Sequence, residues 1–201
     1  MAKQRYEKLS EIISKKGGVI RTFDAVRLGI YSGDLAGMKK KGIIEQISRG
    51  LYRVHGMEAH SHNDLAVVVL KIPRGIVCLI SALSFHDITT HIPHTVDIAI
   101  PRGYKKHKIA YPPVKFYRFS SKAYESGIEN HVINGTSVKI YSPEKTIADC
   151  FKFRNKIGLD VAIEALKTLK AKRRVNINQL IAYAKINRVE KIIKPYLESI
   201  L

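Results

Sequence analysis

The first 54 residues carry apolar stripes and turn residues in the order of three helices and a hairpin. In residues 3–15, four apolar side chains recur at the spacing of one helix face: Tyr6, Leu9, Ile12 and Ile13. Capping and terminating residues predict a second short helix over residues 22–28 and a third from Ser32 to Gly42. Residues 43–47 and 51–54 have strand character and flank the turn at residues 48–50.

This order of elements is typical of a winged helix–turn–helix, which places its third helix in the DNA major groove. The charge agrees with that fold. There are 35 lysines and arginines against 17 acidic residues, and the net charge of +18 divides into +7 for residues 1–55 and +11 for residues 56–201. Clustered cations gain affinity for a polyanion by displacing counterions from its phosphates. We therefore predict double-stranded DNA as a partner.

The third helix has one apolar side and one side of small and basic residues. Leu35 and Met38 fall together and are expected to face the first two helices. The opposite arc carries Gly33, Ala36, Gly37 and Lys40, so the helix axis can approach the groove closely while neighbouring lysines reach phosphates. Alternatively, the glycines only mark a weak helix.

The hairpin places Arg49 at its tip with Arg53 nearby, where a minor-groove contact would fall. No Asn, Gln or Arg lies on the outward arc of the third helix. The sequence therefore leaves open whether base specificity comes from a few polar side chains or partly from DNA shape. The predicted DNA-contacting residues are Arg27, Tyr31, Ser32, Gly33, Ala36, Gly37, Lys39, Lys40, Lys41, Arg49 and Arg53.

Residues 57–201 mix strand and helix signals. Strand character occurs at 96–100, 114–119, 131–133 and 138–141, and Asn134-Gly135 is a strong hairpin signal. Helices are predicted near 81–86, from Ser142-Pro143 onward, and over 160–170, 178–186 and 189–200, whereas 63–71 is either a helix or a buried strand. We predict an α+β fold, with a winged helix–turn–helix domain over residues 1–56 and a mixed α/β domain with a helical C-terminus over residues 57–201.

Several residues invite an enzymatic or metal-binding interpretation. Five histidines could suggest a metal site, but they have few carboxylate or cysteine neighbours: His60, His62, His86, His91 and His94. Ser81 and Ser84 lie near His86 without a nucleophile-elbow motif, and no glycine-rich phosphate loop is present. We therefore predict no catalytic residue, no metal site and no cofactor. The two cysteines, Cys78 and Cys150, are expected to be buried and reduced, and the absence of a membrane span or signal peptide predicts a cytoplasmic protein.

Three segments resemble the AbiEi family, the antitoxin and transcriptional-repressor components of bacterial abortive-infection type IV toxin–antitoxin systems. They are residues 81–103, residues 138–160 with the block Tyr-Ser-Pro-Glu-Lys-Thr, and the hairpin turn at 48–53. The resemblance implies a winged helix that represses its own operon at inverted repeats. It also implies a second domain that neutralises a nucleotidyltransferase-like toxin, generally without a stable complex.

A group of charged residues lies in the middle segment of that resemblance. Lys145 and Asp149 are four residues apart and can pair on one face of a helix. They either belong to a solvated helix face or, with Glu144, form an antitoxicity surface; we adopt the second as a hypothesis.

Two alternative functions stay open on the sequence alone. One is a DNA-processing enzyme with a nuclease-like second domain, which metal-dependent cleavage would reveal. The other is an interaction module whose basic surface binds an acidic toxin, which would give a stable complex.

Overall fold

The computed structural model describes residues 2–15, 18–55, 61–106, 109, 111–133, 135–172 and 175–200. The chain is α+β, which confirms the predicted class. It divides into two compact units, Met1–Val67 with Val132–Ser137, and Val68–His131 with Val138–Leu201. The predicted boundary between residues 56 and 57 falls in a segment outside the described residues, so it stays a prediction.

The front of the chain combines three helices with a three-stranded antiparallel sheet. Its elements are α1 (Ala2–Lys15), β1 (Val19–Arg21), α2 (Thr22–Arg27), α3 (Ser32–Lys40), β2 (Ile44–Ser48) and β3 (Leu51–Val54). Strand β3 is central and pairs with both β1 and β2. The backbone N–H of Thr22 donates to the carbonyl of Gly50 at 2.9 Å, which fixes the start of α2 against the hairpin turn.

One apolar cluster holds these front elements together. Leu35 and Met38 of α3 are buried in it, as the helical spacing predicts. Ile12 was expected on the buried stripe of α1 but is 37% exposed, so the core-facing stripe of that helix is narrower than predicted. The other buried members come from α1, α2, the connection between α2 and α3, and all three strands: Leu9, Ile13, Ile20, Ala25, Ile30, Ile44 and Val54.

The remaining elements build a five-stranded mixed sheet with helices. In chain order they are α4 (Ser61–Lys71), β4 (Ile76–Val77), α5 (Leu79–Phe85), β5 (Val96–Pro101), β6 (Val114–Phe119), α6 (Ser121–Glu125), β7 (Ile128–Ile133), β8 (Thr136–Tyr141), α7 (Pro143–Lys152), α8 (Arg154–Ile157), α9 (Leu159–Ala171), α10 (Ile177–Asn187) and α11 (Glu190–Ile200). The strand order is β6-β5-β4-β8-β7, with β5 parallel to β6 and β4 parallel to β8.

Helix α7 lies at the centre of the second unit, where it packs against α5, α9 and α10. The apolar core of this unit collects side chains from strands β4, β5, β6 and β8 and from the surrounding helices. Cys78 and Cys150 are both free and buried in it, as predicted. None of the helices in the described part of the chain combines the length and the apolar character that a membrane crossing requires.

Candidate nucleic-acid interface

The start of α3 is held against α1 by an ion pair. The guanidinium of Arg5 donates twice to the carboxylate of Asp34, at 2.9 and 3.0 Å, and that carboxylate also accepts the backbone N–H of Tyr31 at 3.1 Å. The Arg5 hydrogen bond holds the pKa of Asp34 below its usual range. The only acidic residue of α3 is therefore neutralised from within the fold, which removes a charge that would repel phosphate.

The outward side of α3 is small and basic. Ser32, Gly33, Ala36 and Lys40 are all exposed, and Tyr31 at the helix start keeps 60% of its surface in solvent. Lys39 is also exposed, and its ammonium donates to the side-chain oxygen of Gln46 on β2 at 2.8 Å. The structure thus brings together most of the α3 residues that were predicted to face DNA.

Gly37 is a correction to that predicted face. It is half-buried, and a Cβ added there would overlap the phenol ring of Tyr6 on α1. The ammonium of Lys41 lies 5.0 Å from the centroid of the same ring. Gly37 and Asp34 are three residues apart and both contact α1, so the inward face of α3 is wider than Leu35 and Met38 indicate. A helical wheel that marks apolar side chains misses this contact, because glycine has no side chain to mark.

The β2–β3 hairpin presents one exposed cation at its turn and one that is engaged with a carboxylate. Arg49 is exposed between the two strands. Arg53 is half-buried, and its guanidinium contacts the carboxylate of Glu45 across the hairpin at 2.5 to 2.7 Å. The Arg53 guanidinium is therefore already engaged by Glu45, whereas the described part of the chain shows no such ion pair for Arg49.

Helix α2 has an exposed aromatic residue that the sequence analysis did not single out. Phe23 is 71% exposed and Val26 is 46% exposed. The guanidinium of Arg27 lies 5.8 Å from the centroid of the Phe23 ring. This places the predicted contact Arg27 in a partly apolar environment, where the ring shields one side of the cation. Phe23 is the aromatic residue of α2, but no local sequence pattern indicates that it is exposed.

The three charged residues of the hypothetical antitoxicity surface lie in the interior, which corrects their predicted location. Lys145 and Asp149 have no exposed side-chain surface, and the Lys145 ammonium donates to both carboxylate oxygens of Asp149 at 2.5 and 2.6 Å. The predicted pairing is therefore confirmed, but neither the exposed surface nor the solvated helix face is correct. Glu144 is 7% exposed and accepts the backbone N–H of Asn176 at 3.0 Å.

The environment of this ion pair explains why it can be buried. Asn187 on α10 donates to Asp149 at 2.7 Å, and the Lys145 ammonium lies 4.1 Å from the ring centroid of Tyr141 and 4.9 Å from that of Phe119. Burial raises the pKa of Asp149, and the adjacent Lys145 opposes that shift. Every charge has a partner, so a polar-looking helix segment can occupy the core.

The histidines do not converge on a metal site in the described part of the chain, which contains no group of three or more potential ligands. His60 lies outside the described residues. His86 contacts the carbonyl of Tyr141 at 2.8 Å, and burial lowers its pKa. His91 lies 3.5 Å from Glu164.

Comparison with known proteins adds a family and a fold. The family described as transcriptional regulators of the AbiEi antitoxin type matches residues 7–55, which span most of α1 and all elements through β3. Residues 7–55 are AbiEi-like. The predicted resemblance is confirmed over this AbiEi segment, which includes the hairpin turn at 48–53, whereas the resemblance of residues 81–103 and 138–160 stays a prediction. No curated protein sequence matches the chain.

The crystal structure of the RV2827C protein from Mycobacterium tuberculosis is similar in fold. It aligns with a TM-score of 0.62 over 88% of this chain and 69% of that chain, at 12% sequence identity. At that identity the likeness concerns the fold alone.

Proposed function

We propose that this protein is a DNA-binding transcriptional repressor of its own operon and the antitoxin of a type IV toxin–antitoxin system. One observation carries the proposal. The AbiEi segment contains α3, whose exposed face is made of small residues, and exposed cations on α3 and on the β2–β3 hairpin lie around that face. In this proposal α3 enters the major groove and the β2–β3 hairpin is the wing.

The chemistry of each element suits that role. Ser32, Gly33 and Ala36 allow the α3 backbone to approach base edges, while Lys39 and Lys40 reach phosphates on either side of the groove. Arg49 extends from the wing toward the adjacent minor groove, and Arg27 contacts the backbone from α2. Tyr31, Ser32 and Lys40 are the exposed side chains best placed on α3 to contact bases, with DNA shape contributing the rest of the specificity.

We assign antitoxicity to the second unit. Its functional partner is a nucleotidyltransferase-like toxin, with which it forms no stable complex. Glu144 and Asp149 support this activity by fixing α7 to the start and to the end of α10, and Lys145 supports it by neutralising Asp149, rather than by touching a partner. They are positioning residues for whatever surface the surrounding helices present.

The proposal is tested by fluorescence anisotropy with the promoter DNA of the operon and a scrambled duplex of the same length. We expect tighter binding to the promoter, reporter repression in cells, and survival when the neighbouring toxin gene is expressed. Lys40→Ala should weaken promoter binding, whereas Lys8→Ala should not, because Lys8 is an exposed cation on α1 outside the proposed interface. Equal affinity for the two duplexes would overturn the repressor assignment, and cell death despite normal expression would overturn the antitoxin assignment.

A further inference from the structure

Helix α2 carries an aromatic ring and a cation side by side on its solvent face. Phe23 and Arg27 are four residues apart, so they are neighbours on one face of the helix, and the Arg27 guanidinium lies 5.8 Å from the centroid of the Phe23 ring. Both residues are exposed. The proposed function gives Arg27 a contact with the DNA backbone, but it gives Phe23 no role.

Packing does not account for Phe23. The side chain keeps 71% of its surface in solvent, and among the described residues it does not belong to the apolar cluster of the front elements. Tyr6 also lies beside a cation, the Lys41 ammonium at 5.0 Å, but its ring is half-buried and packs against Gly37 as well. Replacing Phe23 should therefore leave the fold intact, because surface positions contribute little to stability.

Helix α2 lies between the two parts of the proposed interface. At its start, the backbone N–H of Thr22 donates to the carbonyl of Gly50 at 2.9 Å, and Gly50 is next to Arg49 in the hairpin turn. At its end, residues 28–31 lead directly into α3. A cation on the solvent face of α2 is thus held close to the hairpin on one side and to α3 on the other.

The Arg27 guanidinium is available to a phosphate. Asp24 is only three residues away, yet none of the ion pairs in the described part of the chain involves Arg27. The Arg53 guanidinium, in contrast, is engaged by Glu45. A guanidinium that stacks on a ring uses its flat face and keeps the N–H groups along its edge free to donate to phosphate oxygens.

The ring also limits the freedom of the arginine. An arginine side chain has many rotamers, and fixing it on a ligand costs conformational entropy. A contact that already restricts the side chain in the free protein lowers this cost and so tightens binding. The attraction between a cation and an aromatic ring is favourable even at exposed sites.

We propose that Phe23 is a positioning residue for DNA binding. Its ring holds the Arg27 guanidinium in place to contact a phosphate of the DNA backbone, and the ring itself does not contact the DNA. This inference rests on the proposed function, in which Arg27 contacts that backbone.

A double-mutant cycle tests the coupling of the two side chains. Phe23→Leu removes the ring but keeps an apolar side chain, and Arg27→Met removes the charge but keeps the length. Anisotropy titrations of the full-length protein measure the single and double variants on the promoter duplex and on the scrambled duplex. We expect Phe23→Leu to weaken binding about two- to fivefold when Arg27 is present, and to have no effect in the Arg27→Met background.

The salt dependence and two control variants identify the contact. A phosphate contact carries no sequence information, so both duplexes should show the same coupling. Arg27→Met should make the slope of log K against log salt shallower by about 0.9, the value for one phosphate. Phe23→Tyr keeps the ring and should bind within about twofold of the wild type. Val26→Ala removes exposed apolar surface from the same helix and should leave the affinity unchanged.

Equal weakening by Phe23→Leu with and without Arg27 would overturn the proposal, because the ring would then act on the DNA independently of the cation. Unchanged affinity of Phe23→Leu or of Arg27→Met would also overturn it. A loss on Val26→Ala as large as that on Phe23→Leu would assign this face of α2 to an apolar contact instead. Equal affinity of the wild type for the two duplexes overturns the repressor assignment alone, since the cycle can be measured on either duplex.

Discussion

At the scale of single residues, lysines of this protein occupy two opposite environments. Lys40 lies in water on the outward side of α3, whereas Lys145 is enclosed by a carboxylate and two aromatic rings. Removing the first should change what the protein binds, and removing the second should change how well it folds.

Lys40→Ala and Arg49→Ala should each reduce the free energy of operator binding by about 1–3 kcal/mol if the side chain contacts a base edge. If the contact is only to phosphate, binding should weaken about equally on operator and scrambled DNA. Anisotropy titrations on both duplexes distinguish the two contacts, with Lys8→Ala as the matched control. Unchanged affinity of both variants on the operator would place α3 and the hairpin outside the interface.

Lys145→Met should lower the free energy of unfolding by about 3–5 kcal/mol, because it leaves the Asp149 carboxylate buried without its counter-ion. Lys152→Met on the same helix is the control, since Lys152 is exposed and should change stability by less than about 0.5 kcal/mol. Urea denaturation measures both. The double variant Lys145→Met with Asp149→Leu should recover part of the loss, and equal stability of Lys145→Met and Lys152→Met would contradict the buried pair.

Asp97 makes stability depend on pH. Burial raises its pKa from 3.8 to about 6, with Lys115 opposing the shift. Between these two values the folded protein holds a proton that the unfolded chain has released, so stability falls as the pH rises. Relative to Asp97→Asn, the wild type should lose about 2.4 kcal/mol between pH 4 and pH 7, because each unit of pKa difference is worth about 1.4 kcal/mol and part of the loss is already complete at pH 4. Parallel stability curves for the two proteins would show that Asp97 keeps an ordinary pKa.

At the scale of elements, the contact between α1 and α3 depends on the absence of one side chain. Alanine stabilises a helix relative to glycine by about 1 kcal/mol. A Cβ added at Gly33 meets no atom within 4 Å, so Gly33→Ala should stabilise the protein by up to that amount. Gly37→Ala should instead destabilise it, because the new methyl group overlaps Tyr6. Thermal unfolding of both variants tests the difference, and Tyr6→Ala should remove the penalty at Gly37.

Elements with a local signal in the sequence were predictable, and those defined by distant pairing were not. Helices α1 and α9 are confirmed because each buries a face whose apolar residues repeat along the sequence. Helix α7 and strand β5 are buried on nearly all sides, and they are confirmed from the Ser142-Pro143 helix start and from strand character, as is strand β6. Strands β1 and β4 have only three and two residues, and they exist because β3 and β5 supply their hydrogen bonds. No local pattern contains that information.

The candidate site shows the same limit. Exposure of Lys40 and Arg49 follows from their place opposite the apolar residues or in a turn, which the sequence reveals. Burial of Lys145 does not, because it depends on Asn187 and on two aromatic rings from other elements.

At the scale of the whole molecule, a net charge of +18 should make DNA binding strongly dependent on salt. With about six to eight phosphate contacts, the logarithm of the association constant should fall with a slope of about −5 to −7 against the logarithm of salt concentration. Anisotropy titrations at salt concentrations from roughly 50 to roughly 300 mM give the slope. A flat response would mean that the basic residues do not neutralise DNA phosphates.

The separation of the two faces of α3 has a consequence for how such regulators diverge. Its inward side packs in the core and against α1, while Ser32, Gly33, Ala36 and Lys40 are exposed. After a gene duplication, these four positions can therefore change without lowering the stability of either copy. Two paralogues in one genome can acquire separate operators by drift at the outward side alone, and their regulation becomes insulated while their fold stays the same.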